Sequence, residues 1–300
     1  MKKKTYLFTL MAMALTLGSC SDNENGIGGE TSKYITVSTS IGNMTRVATD
    51  AKGGQTFEEG DEISVYAWTG TPTVAPETSE RVVNNAINKL TNGSWISTPQ
   101  MLWKNNREKH YFIGVYPTAA ISDLSAGEYT FDANKQTESD LLVAVNKDGL
   151  SYNADAQQTV PLTFTHVMAK LAVNLTYKNQ WGGIPTVEKV VVGNAAKETT
   201  INYLTKVVTP STTAKEDFSL PEITENTKYV SVIIPQEDVK QLTIVIGGKN
   251  FVYDNGTPFK LESGKITTVN LEVGRDEIKL GDVKITNWED GSTFSGEALN

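Results

Sequence analysis

Acidic side chains that could do chemistry are concentrated in one short stretch of the sequence. Glu58, Glu59, Asp61 and Glu62 surround Gly60. Paired carboxylates can serve as the acid and base of glycoside hydrolysis, and clustered carboxylates can bind calcium. Adjacent acids around a glycine turn are nevertheless typical of a solvated loop, and the spacing of a calcium-binding EF-hand is missing. We therefore interpret this stretch as a surface loop, and we expect no metal and no cofactor.

The two histidines, His110 and His166, are not accompanied by a catalytic motif. The sequence contains no Gly-x-Ser-x-Gly elbow, no His-Glu-x-x-His pair and no phosphate loop with Gly-Lys-Ser or Gly-Lys-Thr. A single cysteine and two histidines cannot assemble a structural zinc site. His166 falls where the alternation of a long strand changes phase, which indicates a hydrogen-bonded, partly buried structural residue. The sequence therefore predicts a protein that is not an enzyme.

Five tryptophans are spread along the chain and leave one alternative open. Aromatic faces can stack on sugar rings, so an exposed set would favour a surface lipoprotein that binds glycans and does not polymerise. Single tryptophans within strands more often fill the core of a β-sandwich. The residues concerned are Trp68, Trp95, Trp103, Trp181 and Trp288.

The N-terminus offers an explanation for the single cysteine, Cys20. The basic residues 2–4 precede an apolar run over residues 6–17 that is too short to span a bilayer. Leu17-Gly18-Ser19-Cys20 then matches the lipobox of bacterial lipoproteins, in which cleavage precedes the cysteine and its thiol receives diacylglycerol. The alternative is a buried free cysteine. We predict that residues 1–19 are a lipoprotein signal peptide and that lipid on Cys20 anchors the mature chain at a membrane.

The charge balance excludes a basic nucleic-acid-binding protein. Aspartate and glutamate outnumber lysine and arginine by 35 to 27, and the net charge is −8. A binder of phosphate backbones needs the opposite excess, so we expect no nucleic acid among the partners. Loss of residues 1–19 removes lysines and makes the mature chain more acidic still. Residues 20–33, which combine acidic residues with glycine, are interpreted as a flexible linker.

From residue 34 onward the dominant hydrophobic period is two, which predicts strands. Many short alternating runs follow one another without a βαβ rhythm, so the predicted fold class is all-β, with two β-sandwich domains in tandem. The boundary falls near Pro161, which gives one sandwich over residues 34–160 and another over residues 161–300. Residues 80–90 have helix-like spacing but contain three asparagines, and we favour a strand. Asn92-Gly93 behind them signals a type I′ hairpin.

Separated motifs follow one another in a defined order along the chain. They are the lipobox; Thr45-Arg46 after the first strand; residues 57–66; Trp103 followed by residues 111–117; Ser139-Asp140-Leu141-Leu142-Val143-Ala144; residues 162–171; Ile234-Pro235-Gln236; and Ile285-Thr286-Asn287-Trp288-Glu289-Asp290-Gly291. In this order they resemble the fimbrillin-like proteins of Bacteroidales, a family that includes the subunits of type V pili. The resemblance covers essentially the whole chain, although no single motif decides it.

The resemblance implies a transthyretin-like fold for both sandwiches and a structural role. In pilus-forming members, the lipoprotein precursor is exported to the surface of the outer membrane, where an arginine-specific protease removes the N-terminal segment and its first strand. An extended segment of the next subunit then fills the open groove by strand complementation. The implied location is a fimbria, with an adhesive role. The implied partners are other fimbrial subunits, the membrane before cleavage, and a host or bacterial surface receptor.

For this chain, the resemblance implies cleavage between Arg46 and Val47, because this pair follows the predicted strand over residues 34–41 directly. An ordinary loop arginine is the alternative. The acidic residues 21–25 also resemble the signal by which Bacteroidales lipoproteins reach the cell surface.

The C-terminal segment is the candidate donor strand. Its apolar residues alternate on both sides of Gly281-Asp282, which shifts the phase of the alternation. The alternative is a permanent strand of the second sandwich, and the sequence does not separate the two. The candidate residues are Ile278, Leu280, Val283, Ile285 and Trp288.

Overall fold

The computed structural model describes residues 33–42, 56–136, 138–154 and 158–288. The predictions on Cys20, Arg46 and Val47, like those on the signal peptide, fall outside the described residues. The described chain is almost entirely β-structure, which confirms the all-β prediction. Two single-turn 3₁₀ helices, Thr78–Glu80 and Asn179–Trp181, interrupt the strands. Nothing helical in the described part of the chain is long and apolar enough to cross a membrane.

The described residues form nineteen strands. In chain order they are β1 Thr36–Ile41, β2 Glu62–Thr69, β3 Arg81–Thr91, β4 Ser94–Thr98, β5 His110–Tyr116, β6 Gly127–Thr130, β7 Leu142–Leu150, β8 Thr159–His166, β9 Ala169–Tyr177, β10 Val187–Ala196, β11 Glu198–Asn202, β12 Val207–Pro210, β13 Lys215–Leu220, β14 Glu222–Thr224, β15 Lys228–Ile233, β16 Gln236–Ile246, β17 Lys249–Leu261, β18 Lys265–Val273 and β19 Ile278–Asn287.

The first large sheet contains seven strands in the order β1-β8-β7-β5-β2-β3-β4. Its neighbouring strands run antiparallel except for β1 and β8, which run parallel. The ambiguous residues 80–90 form β3, so the preference for a strand is confirmed. Asn92 and Gly93 have φ angles of 50° and 73°, the positive values that a type I′ turn requires.

This seven-stranded sheet is apolar on both faces, because alternate residues of its central strands enter two different hydrophobic clusters. In β2, Ile63 and Val65 enter one cluster, whereas Tyr66 and Trp68 enter the other. We call the first the inner cluster; it consists of Ile35, Val37, Ile63, Val65, Ala67, Val83, Ala86, Met101, Trp103, Phe112, Leu142, Ala144, Val160, Leu162 and Phe164. The second cluster continues into the C-terminal half of the chain.

The C-terminal half is built from a five-stranded sheet, β14-β15-β9-β18-β19, and a four-stranded sheet, β13-β10-β16-β17. Their facing side chains share one core, in which Val173 of β9 and Val269 of β18 are fully buried together with Val190 of β10 and Ile244 of β16. The alternation predicted for residues 167–177 puts Leu171, like Val173, into this core. The arrangement is that of two sheets packed face to face.

A third sheet, β12-β11-β6, joins the two halves of the chain. β6 comes from the N-terminal half and pairs with β11 of the C-terminal half, from Glu198 opposite Thr130 to Ile201 opposite Gly127. The chain itself passes from the seven-stranded to the five-stranded sheet after β8, a few residues later than the boundary predicted near Pro161. The division into two tandem sandwiches stays a prediction.

A substitution at Gly127 tests how closely the two halves approach. A Cβ atom at Gly127 would lie 2.5 Å from Cε2 of Tyr203, which is almost fully buried and cannot move aside. We expect Gly127→Ala to lower the free energy of unfolding by about 1–3 kcal/mol, as overpacking does. Urea denaturation measures this change.

Gly193→Ala is the matched control for Gly127→Ala. The only close contact of a Cβ atom at Gly193 would be with Oε1 of Gln241, at 2.8 Å, which is the far end of a flexible side chain; the next atoms lie at 3.4 Å or more. Gly193→Ala should therefore cost clearly less than Gly127→Ala. Equal losses in the two variants would contradict the close approach at Tyr203.

Candidate functional site

One edge of the seven-stranded sheet is formed by β1. The six residues of β1 pair with β8 in parallel register, from Thr36 opposite Thr159 to Ile41 opposite Phe164. Side-chain hydroxyls support this ladder, since Ser40 Oγ donates to Thr163 Oγ1 at 3.2 Å. β1 therefore supplies the backbone partners for one whole side of β8.

The other side of β1 contacts the segment that follows β4, at the opposite edge of the sheet. The amide of Ile35 donates to the carbonyl of Met101 at 2.9 Å, and the amide of Trp103 donates to the carbonyl of Lys33 at 3.2 Å. Trp95 Nε1 of β4 donates to Thr39 Oγ1 at 3.0 Å. We call the space between β8 and this segment, which β1 fills, the β1 slot.

The side chains of β1 alternate between the core and solvent. Ile35, just before β1, and Val37 are only 3% and 6% exposed, and both belong to the inner cluster. Ile41 is half-buried and packs on the same cluster, whereas Ser38 and Ser40 are exposed. The β1 slot is therefore a backbone ladder combined with a row of apolar sites at every second residue.

The acidic stretch predicted to be a surface loop is a structural turn. Asp61 Oδ2 accepts a hydrogen bond from the amide of Glu58 at 2.7 Å, and Glu59 Oε1 accepts one from the amide of Asn92 at 2.8 Å. Glu62 forms an ion pair with Lys89. Each of these carboxylates therefore has its own partner, either a backbone amide or a lysine. Among the residues that the structure describes, no group of three or more potential ligands could hold a metal ion.

His110 is completely buried beside the β1 slot. Its Nδ1 lies 3.2 Å from the carbonyl of Glu108, which can only accept, so Nδ1 carries the proton. Its Nε2 then accepts the amide of Lys104 at 3.0 Å. Burial lowers the pKa of His110 below its ordinary value. The neutral ring also meets the Trp103 ring edge-on at 5.0 Å, and thereby fixes the segment that contacts β1.

Three of the sequence motifs, although far apart in the chain, meet at one cluster. Asp140 precedes β7, His166 ends β8, Lys170 lies in β9 and Trp288 follows β19. His166 Nδ1 lies 2.7 Å from Asp140 Oδ1, and the His166 ring stacks on the Trp288 ring at 4.1 Å and 7°. Lys170 Nζ lies 4.1 Å from the centroid of the same indole. We call these four residues the Trp288 cluster.

Two residues of the Trp288 cluster are buried, and the other two, Asp140 and Lys170, are half-buried. His166 and Trp288 are 5% and 7% exposed, and burial lowers the pKa of Lys170, an effect that the nearby Asp140 carboxylate partly opposes. His166 is hydrogen-bonded, as predicted, but it is buried and not only partly buried.

The candidate donor residues lie in and directly after β19, the edge strand of the five-stranded sheet. β19 pairs with β18 from Lys265 opposite Asn287 to Val273 opposite Ile278. A register shift around Gly281-Asp282 puts Ile278 and Leu280 on the same face of the sheet as Val283 and Ile285. Val283 and Ile285 remain 41% and 38% exposed, whereas Trp288 is buried.

The five tryptophans do not form a common exposed surface. Trp68, Trp103 and Trp288 are buried. Trp95 is partly buried against Phe57, and Trp181 is partly buried between Phe251 and Arg275. Three of the five tryptophans therefore fill the core, as single tryptophans within strands often do.

The sequence profile of the fimbrillin-like family matches residues 45–288. The chain belongs to the fimbrillin-like family. The match runs from the residue before Arg46 to Trp288, and thus includes every residue of the Trp288 cluster. No curated protein is similar enough in sequence to match the chain.

Solved structures share the fold of this fimbrillin-like chain. A putative cell adhesion protein from Bacteroides uniformis has 18% identity and a TM-score of 0.63, over 86% of this chain and 100% of its own. A putative cell adhesion protein from Bacteroides ovatus has 18% identity and a TM-score of 0.62, over 85% and 98%. A fimbrial protein from Bacteroides vulgatus has 13% identity and a TM-score of 0.52, over 84% and 99%.

Family membership defines the general role of the fimbrillin-like chain. It is a structural, non-enzymatic protein with a fimbrial and adhesive role at the cell surface, and other fimbrial subunits are its partners.

Sequence reasoning missed the contacts of Lys170 and Trp288 in this fimbrillin-like protein. The sequence alone identifies no partner for Lys170, and it names Trp288 only as a candidate residue of a strand that is either donated or resident. One signal was available, because each of the residues Asp140, His166 and Trp288 belongs to a motif of the family. A single sequence, however, does not show that these motifs are in contact. The sequence likewise gives no role to His110, because the hydrogen-bond partners of this side chain are backbone groups.

Acid should weaken the fimbrillin-like fold beside the β1 slot through His110. The stabilisation by the neutral ring is complete above about pH 6.5, the pKa of histidine in an unfolded chain, and it is lost as the pH falls from there toward the lower pKa of the folded state. His110→Asn removes this titration. Between about pH 7 and about pH 5, the free energy of urea unfolding should fall more in the wild type than in His110→Asn. Parallel declines in the two proteins would contradict a buried neutral His110.

Proposed function

We propose that the protein is a fimbrial subunit that becomes competent for assembly when cleavage between Arg46 and Val47 releases β1, and that an extended strand of another subunit then fills the β1 slot. The observation that carries the proposal is the position of β1. It is an edge strand and it ends five residues before Arg46. Its removal would expose both the hydrogen-bonding edge of β8 and a row of apolar sites.

Loss of β1 would leave a defect that favours binding of another strand. The backbone groups of β8 that pair with β1 would have no partner, and the places of Ile35 and Val37 in the inner cluster would be empty. Each such side chain contributes roughly 1.5–3 kcal/mol when buried. A donated strand would pair with the backbone of β8 through main-chain hydrogen bonds. Its apolar residues at every second position would fill the empty places in the inner cluster.

Arg46 is the arginine best situated for this cleavage. The sequence has four arginines. Arg81 is buried and donates to the carbonyls of Ile121 and Ser122, so a protease could not reach it without unfolding. Arg107 and Arg275 are exposed, but cleavage after either would leave β1 in place: Arg107 lies between β4 and β5, and the only described strand after Arg275 is β19.

The lipid on Cys20 completes the proposed sequence of events. Cys20 precedes β1 in the chain, so cleavage after Arg46 would remove the lipid anchor and β1 in one step. Before cleavage, the acyl chains would hold the folded precursor at the outer membrane, with β1 in place. One cut would thus release the subunit from the membrane and open its β1 slot.

Substitution of Arg46 tests the cleavage. In cells that assemble the fimbria, wild-type protein sheared from the surface should begin at Val47 and form high-mass polymers. Arg46→Ala and Arg46→Lys should fold normally, because no contact among the described residues depends on position 46, but they should keep the lipid on Cys20 and remain outside polymers. N-terminal sequencing and gel analysis of the sheared fraction measure both results.

Arg107→Ala is the control for Arg46, because it removes an exposed arginine and leaves the region around β1 intact. It should be processed and assembled like the wild type. Polymers formed by Arg46→Ala, or a wild-type chain that begins elsewhere, would contradict the proposed site.

A peptide tests the β1 slot independently of cells. After the chain is cut between Arg46 and Val47 in the folded state, a labelled peptide of residues 34–42 should exchange with the resident strand and remain bound during size-exclusion chromatography. The same peptide with serine at Ile35, Val37 and Ile41 keeps the backbone but lacks the apolar side chains. This serine peptide should not be retained. Equal retention of the two peptides would refute the apolar sites at every second residue of the β1 slot.

A further inference from the structure

β19 is held weakly along its outer edge. It is an edge strand, so hydrogen bonds join it to β18 on one side only. Its register breaks at Gly281-Asp282, and Val283 and Ile285 are more than a third exposed although they lie on the core face. Edge strands of this kind open readily or pair with other chains.

Trp288 is the exception at the end of this strand. Its amide donates to the carbonyl of Gly264 at 3.0 Å, and its indole is enclosed by the His166 ring and Lys170 Nζ. Its Nε1 has no hydrogen-bond partner among the described groups, so the indole is held by its faces and not by its N–H. A desolvated cation above the ring and a stacked aromatic partner are both favourable.

The residues that enclose Trp288 do not belong to its own strand pair. His166 ends β8, Lys170 is the second residue of β9, and Asp140, which orients the His166 ring, precedes β7. Trp288 therefore connects the last strand to the seven-stranded sheet, where β8 is also the strand that borders the β1 slot.

We propose that Asp140, His166 and Lys170 form a receptacle that locks Trp288, and with it β19, into the subunit's own sheet. This subunit then receives a strand at its β1 slot but does not donate its C-terminal strand, and it ends the fibre on that side. The inference rests on the proposed function of the β1 slot. Residues 289–300 offer no substitute donor, because their sequence lacks the alternation of apolar residues that the slot requires.

Hydrogen exchange tests the lock in the full mature chain. Trp288→Ala should speed the exchange of the β19 amides by about tenfold to a hundredfold, because the stack and the cation contact are lost together. Trp288→Phe keeps an apolar ring between His166 and Lys170 and should stay close to the wild type. His166→Asn keeps a donor for Asp140 but lacks the ring, and should speed the exchange as well.

Trp181→Ala is the matched control. Trp181 also has a cation above its ring, Arg275 at 5.5 Å, and its Nε1 donates to the carbonyl of Val273 in β18. It lies at the other end of the five-stranded sheet, beside the turn between β18 and β19. Trp181→Ala should leave the amides near Trp288 unchanged. Equal exchange in Trp288→Ala and Trp181→Ala would overturn the lock.

Assembly tests the consequence. After the cut at Arg46, the wild type alone should stay monomeric in light scattering, whereas Trp288→Ala should form oligomers by giving up β19. Polymerisation of the cut wild type through its own β19 would overturn the inference. The peptide of residues 34–42 tests the β1 slot separately. If the cut wild type does not retain this peptide, the proposed function fails. The hydrogen-exchange experiment still decides whether Trp288 locks β19.

Discussion

The constraint on which the structure depends is that the backbone of β8 needs partners on both of its sides. β7 supplies one side, and β1, which is not connected to β8 by a hairpin, supplies the other. The same strand carries Val160, Leu162 and Phe164 into the inner cluster, so that loss of β1 would expose polar backbone and apolar side chains at one place. A short, nearly terminal strand thereby controls whether the N-terminal sheet is complete.

The two ends of the described chain are held by different means. At β1 the apolar anchors are few and lie along the strand, at Ile35 and Val37. At β19 the ladder is longer, but the apolar residues are half exposed and the strongest side-chain contacts are concentrated in Trp288. A strand anchored along its length can be replaced by another of the same alternation, whereas a strand held by one large residue at its end stays until that residue leaves its site.

Sequence alone predicted the elements whose pattern is local. The alternation of β2, β5 and β9, the hairpin at Asn92-Gly93 and the phase shift at Gly281-Asp282 all follow from neighbouring residues, and the structure contains each of them. The short strands β11–β14 were not foreseen, because they are partly polar and their pairing depends on distant strands such as β6 and β10. The Trp288 cluster was missed for the same reason: its members are recognisable singly, but their contact is a property of the topology.

The pairing of β6 with β11 has a mechanical consequence. A pull that enters through the N-terminal sheet reaches the C-terminal half only through the contacts that join the two halves. If the single covalent crossing after β8 were the only connection, the halves would swing about it as about a joint. The β6–β11 ladder and the close contact of Gly127 with Tyr203 reinforce this crossing and the shared hydrophobic cluster, so that a pull on one half is distributed over a sheet and the two halves move as one stiff unit.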